Sequence, residues 1–164
     1  MPPAARLTDQ VVHPLPGKLV PGPGSPNVLI GSLPAWRGVP AGGAASLMAA
    51  KTASEVRIKA AEAATLAAAG TPGAPAAKLA EETLKAAEAG AMSATISAGA
   101  GGADINMCAT PLPIPPHGPG VVITPSKTVM INNLGACRIG DTILEAIGPP
   151  DAIAMGCPTV IIGG

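Results

Sequence analysis

The chain has 164 residues, no net charge, and an apolar fraction of 48% that includes one Trp but neither Phe nor Tyr. That length is enough for one or at most two small domains. Balanced charge, no basic run and almost no aromatic rings exclude nucleic-acid binding, which needs phosphate-neutralising Lys and Arg and often stacking rings.

Residues 1–40 read as a first β unit. The N-terminal MPPAARLTD lacks a charged region followed by an apolar one, so no signal peptide is expected. Arg6, Asp9 and His13 follow closely, then the Pro/Gly-rich stretch PLPGKLVPGPGSP, the strand NVLIG and the turn PAWR. Pro inside these segments confines them to turns and strand ends.

Residues 41–102 differ in character. Two Ala-, Glu- and Lys-rich stretches flank TPGAP, the first ending at Gly70. Ala is the strongest helix former, Glu55–Lys59 and Glu81–Lys85 have the favourable acid-first spacing, and Gly70 suits a helix C-terminus. The expectation is an inserted α-helical hairpin. Leu47, Val56, Ile58, Leu66, Leu79, Leu84, Met92 and Ile96 are expected to give each helix a narrow apolar seam. Charges along both helices, and no apolar run of membrane-spanning length, argue against insertion in a bilayer.

Residues 103–164 carry a second and a third β unit, opened by Asp104 and Asp141. The three units repeat one sentence. Ser25–Gly38 reads SPNVLIGSLPAWRG, Ser126–Asp141 reads SKTVMINNLGACRIGD, and the chain stops inside a third copy, CPTVIIGG. The N-terminal Pro3-Ala4-Ala5-Arg6 supplies the missing word. A repeat cannot bury its apolar face alone, so a copy split between the two ends predicts a ring in which those ends meet. Such a body has no free sheet edge. Arg6–Asp9 and Arg138–Asp141 recur at one spacing and read as structural pairs, whereas Arg37 is not followed by an Asp because the insertion begins there.

Aligning the units on Asp9, Asp104 and Asp141 places His13, Cys108 and Glu145 at one equivalent position, four residues on. All three are metal-ligand types, and His117 lies beyond a proline-stiffened loop that can fold back to the same point. Zinc prefers four N, S or O ligands. His13, Cys108 and His117 are three; the fourth is Glu145, or Cys157 from a neighbouring strand, or water. Cys157 aligns with Ser25 and Ser126, which reads instead as a small buried residue, and Cys137 reads as packing. Three cysteines at no disulfide-like spacing do not suggest a disulfide framework. Walker, GxSxG, HExxH and CxxC motifs are absent, so an enzyme reading has no residues to stand on, and the metal is read as structural.

These residues resemble the PAAR-repeat family, over roughly residues 1–40 and 103–164. The resemblance rests on PAAR at 3–6, its variants PAWR and GACR, three SPTV-like strands and the Arg-x-x-Asp pattern. It implies a mainly β, small conical pseudo-threefold body with the helical hairpin of 41–102 inserted. It also implies a role: the tip capping a trimeric VgrG-type spike of a contractile injection system, such as type VI secretion or a phage-tail-like particle. Family tips bind zinc near the vertex through His and Cys at these loop positions, matched here by His13, Cys108 and His117; Glu145 departs from the usual His or Cys. The vertex would pierce a target membrane when the sheath contracts. The protein would be made in the cytoplasm, assembled at the apparatus tip and expelled. The chain ends on its last strand, so no fused toxin is expected. The alternative is an adaptor whose helices, residues 42–102, dock effector cargo or a chaperone.

Overall fold

A computed structural model describes residues 1–12, 17–108 and 117–163. Tight turns set the local geometry of the repeats. Strands β4 (Leu29–Ile30) and β5 (Leu33–Pro34) are joined by Gly31 and Ser32, and β8 (Met130–Ile131) and β9 (Leu134–Gly135) by Asn132 and Asn133. All four turn residues have φ between 53° and 66°, the two-residue hairpin geometry that favours Gly and Asn. The third hairpin is assembled from the two chain ends: β1 (Pro3–Ala4) pairs antiparallel with β12 (Cys157–Ile161).

Behind the turns the three words meet. The Ala5 N–H donates to the Cys137 carbonyl at 2.8 Å, Cys137 N–H to Trp36 at 3.0 Å, and Trp36 N–H to Ala5 at 3.0 Å. The hydrogen bonds form a closed cycle. Backbone bridges Arg6–Ala35, Arg37–Ala136 and Arg138–Ala4 follow the same rotation. One of the three axial side chains is large: Trp36 is fully buried beside the small Ala5 and Cys137, because three large residues cannot share one axis at native packing density. Burial pushes the Cys137 thiol well above its ordinary pKa, consistent with a packing role.

Each Arg then folds back on an Asp. Arg6 gives its backbone N–H and guanidinium to Asp9, and Arg138 does the same to Asp141. Arg37 has no Asp three residues on, because the helices intervene, and its partner is Asp104, the Asp that opens the second unit. Asp104, beyond the insertion, accepts from the Arg37 backbone N–H at 2.8 Å, from Nε at 3.0 Å and from Nη2 at 2.7 Å. Both residues are buried, and Asp104 also accepts from the Gly24 N–H at 3.0 Å. The insertion has stretched the Arg-x-x-Asp unit without changing its shape.

After each Asp a strand leaves the ring and returns. The outgoing strands are β2 (Gln10–Val12), β6 (Ile105–Cys108) and β10 (Thr142–Glu145); the returning ones are β3 (Gly17–Lys18), β7 (Gly118–Val122) and β11 (Asp151–Ile153). They form one sheet in the order β3-β2-β11-β10-β7-β6. A Met107 N–H bond to Val20 O at 2.8 Å and a Pro21–Asn106 bridge bring the two edges together, so the sheet is nearly closed. Ile30, Ile131 and Ile162 pack with Ala4, Ala35 and Ala136 under the turns. Leu19, Val122 and Ile153 pack with Val11, Ile143 and Trp36 inside the sheet.

Between the first and second units stand α1 (Ala41–Ala67) and α2 (Ala74–Gly99), an antiparallel pair. Leu47, Met92, Ile96 and Ala100 pack on Val39, Val121, Ile123, Leu144 and Ala146 of the β body. The expected apolar seam continues outward only in part, through half-buried Ile58 and Leu84. Val56, Leu66 and Leu79 are 62%, 77% and 65% exposed, while Ser54, Glu81 and Glu88 are buried. Away from the sheet the helices have only each other to pack on, and two ion pairs cross between them, Arg57 with Glu88 and Lys85 with Glu62, while Glu81 pairs with Lys85 along α2.

Two outcomes follow. Asp104→Ala leaves a buried guanidinium without its carboxylate, which is expected to cost about 3–5 kcal/mol. In denaturant unfolding this should exceed the effect of Asp9→Ala or Asp141→Ala, whose Arg partners are more exposed. Second, Lys85 and Lys78 hold the Glu81 carboxyl at about 2, and Arg57 holds Glu88 at about 2, against an ordinary 4.5. Folded values below unfolded ones mean stabilisation present above pH 4.5 and lost as pH falls toward 2. Far-ultraviolet circular dichroism should report helix loss in that window, and a Glu81→Gln/Glu88→Gln double variant should flatten the profile.

Candidate metal centre

The outgoing strands lead from the Arg–Asp pairs toward the positions at which the repeat alignment places the metal ligands. Cys108 is the last residue of β6, and its backbone pairs with Gly118, directly after His117. Glu145 is the last residue of β10 and pairs with Gly120 of β7. Pairing β7 with both strands therefore brings the His117 and Glu145 positions together. Their side chains meet: His117 Nδ1 and Glu145 Oε2 are 2.7 Å apart, and both residues are buried.

A third residue joins them. Asp151 opens β11, is 9% exposed, and offers a carboxylate oxygen within 4.8 Å of ligand atoms of both His117 and Glu145. Sequence alignment of the outgoing strands could not find it, because it lies on a return strand. The signal is in the register: Asp151 stands opposite Ile143 as Gly120 stands opposite Asn106 and Gly17 opposite Val11. An acid thus occupies a position that is Gly in the other two units.

Close packing fixes the pieces. Gly148, at φ +91°, lies under the His117 ring, where an added Cβ would come within 3.1 Å of Cε1. Ile147 N–H donates to the His117 carbonyl at 3.1 Å. The helices reach the same place: Lys51 of α1, itself buried, donates from Nζ to the carbonyl of Ala146 at 3.2 Å. Burial lowers the Lys51 pKa, against the opposing pull of Glu55 and Glu145.

A cavity of about 10 Å³ borders Glu145, Asp151, Asn106 and Lys18, roughly the room one water needs. Among the described residues, Asn106 Oδ1 is buried without a hydrogen-bond partner. One imidazole and two carboxylates are donors that suit a divalent cation. They do not by themselves single out zinc.

The remaining sequence-derived ligands are placed as follows. His13 lies outside the described residues, and so does the side chain of Cys108. Cys157 sits elsewhere, in the layer with Ala4, Ile30 and Ile131, its Sγ 3.3 Å from Thr159 Oγ1. That is the place Ser25 and Ser126 occupy in their own hairpins, each accepting from a backbone N–H three residues on. Its alignment with the two serines describes it; a metal ligand role does not.

The chain matches no protein-family model, no curated protein and no solved structure.

Gly148→Ala forces a side chain into left-handed backbone and against the His117 ring. The expected loss is about 1–2 kcal/mol from the backbone alone, read in denaturant unfolding, together with a shifted His117 ring signal in the NMR spectrum.

Proposed function

We propose that this chain is a PAAR-type spike tip: a small conical β body that caps the trimeric VgrG-type spike of a contractile injection system. The observation that carries this reading is the closed ring of Ala5, Trp36 and Cys137, with an Arg–Asp pair in every unit, including the one interrupted by the helices. A single chain that repeats three times can match a trimer at one end while presenting one point at the other.

The end formed by the tight turns is suited to the spike. Leu29, Met130 and Ile161 hold the same place in the three hairpins and are 64%, 53% and 46% exposed. Three apolar side chains around one axis are a patch that a threefold partner would cover. As the resemblance implies, His13, Cys108 and His117 with a carboxylate would hold a zinc ion. When bound, the ion would cross-link loops where converging strands bury too little apolar area. In this reading the protein is made in the cytoplasm, rides on the spike and is expelled through the target membrane on contraction.

A second reading, an adaptor for effector or chaperone, is favoured by the exposed Val56, Leu66 and Leu79 on the outer part of the helices. One set of binding measurements separates the two. The chain mixed with a purified VgrG-type trimer should give a complex of one chain per trimer by mass. Leu29→Asp with Ile161→Asp should weaken it about tenfold or more, and Leu66→Glu with Leu79→Glu should leave it intact. No complex from the wild-type chain at micromolar concentration sinks the spike-tip reading. Effector capture that fails only in the helix variant would favour the adaptor.

A further inference from the structure

The repeat alignment makes Glu145 a candidate ligand, equivalent to His13 and Cys108. The geometry points to a different task. We propose that Glu145 is a positioning residue: it accepts the Nδ1–H of His117, holds the imidazole in that tautomer, and so directs Nε2 as the only ring atom through which His117 can bind a metal. This rests on the metal reading above and assigns Glu145 a role within it.

Three observations support the assignment. The 2.7 Å separation lies between Nδ1 and Oε2, which is hydrogen-bonding distance and leaves no room for an ion between them. Both partners are held from behind. The His117 ring lies against Gly148, and its carbonyl accepts from Ile147. The Glu145 backbone pairs with Gly120, whose missing side chain leaves room for the Glu145 Cγ, 3.1 Å from where a Cβ would stand. The residue after Glu145 is clamped as well: Ala146 packs among the helix side chains and accepts from Lys51.

The chemistry agrees with this placement. A ligating His commonly donates its other ring N–H to a carboxylate, which sets the tautomer, orients the ring and raises ligand basicity. The departure from His or Cys at position 145 then becomes intelligible. In this unit the residue has moved from contacting the ion to orienting a neighbour that does.

The test separates this role from the metal reading itself. In metal-free, ¹⁵N-labelled protein, two-bond proton–nitrogen correlation reads the tautomer of each imidazole; the chain has two His, and a His13→Asn variant assigns them. His117 should be the Nδ1–H tautomer in the wild type and shift toward Nε2–H in Glu145→Ala. For binding, the probes are Zn²⁺ in competition with a chelator and Co²⁺ as a visible reporter. Glu145→Gln, whose side-chain oxygen can still accept, should lower Zn²⁺ affinity by about 10–100-fold with the Co²⁺ band positions unchanged. Shifted Co²⁺ bands in Glu145→Gln would make Glu145 a ligand and overturn the proposal. So would a wild-type His117 protonated on Nε2. If the wild type takes up neither Zn²⁺ nor Co²⁺, the metal reading falls, and the tautomer measurement still decides whether Glu145 positions His117.

Discussion

Three peptide hydrogen bonds, from Ala5 to Cys137 to Trp36 and back to Ala5, are the constraint on which the rest of the molecule depends. A buried N–H or C=O left unpaired is costly, and a cycle of three is the smallest way for three equivalent segments to satisfy one another without leaving an end. The cycle fixes residues 5, 36 and 137 around one axis, and the return through β10 and β11, paired with β2, brings the C-terminal strand back to β1. β1 and β12 must then complete each other's hairpin. The axis can hold one large side chain, and Trp36 is that side chain. Threefold backbone geometry is thus kept while the side chains along the axis are made unequal.

Around that ring the Arg–Asp pairs orient the outgoing strands. Each Asp accepts from both the backbone and the side chain of its Arg, so the start of the strand after it is fixed by the same contacts in every unit. Arg37 and Asp104 demonstrate how little this geometry asks of the connection between them. A hairpin of two long helices separates them in sequence, and the pair still closes. The entropy of closing a loop rises slowly with its length, and here the loop is itself folded, which lowers that cost further. The helices gain a footing on β7 and β10 in return, through Leu47, Met92 and Ile96.

That footing links the insertion to the candidate centre. Lys51 reaches the carbonyl beside Glu145, and an added Cβ at Gly118 would stand 3.0 Å from Ser93 Oγ of α2. The elements that hold His117 and Glu145 are therefore braced from one side by the helices. The outer part of the hairpin has no such support. Buried Ser54, Glu81 and Glu88 line its inner face beside half-buried Ile58 and Leu84, while Val56, Leu66 and Leu79 face outward.

Much of this was legible in the chain itself. The three sentences in register, the split third copy and the Ala-rich interruption determine a ring-like β body with an inserted helical hairpin, because local turn chemistry and repeat spacing act over a few residues. The likeness of residues 25, 126 and 157 was also readable, and it placed Cys157 correctly as a small buried residue. Tertiary structure decided what spacing could not express. Arg37 finds Asp104 because the ring, and not the sequence interval, brings them together. Val56, Leu66 and Leu79 are exposed because periodicity says which residues share a face but not whether anything lies beneath it. Asp151 joins His117 and Glu145 through strand register across three different strands, and only folding creates that neighbourhood. Glu145 stands where the repeat put it; the 2.7 Å contact with His117 Nδ1 decides what it does there.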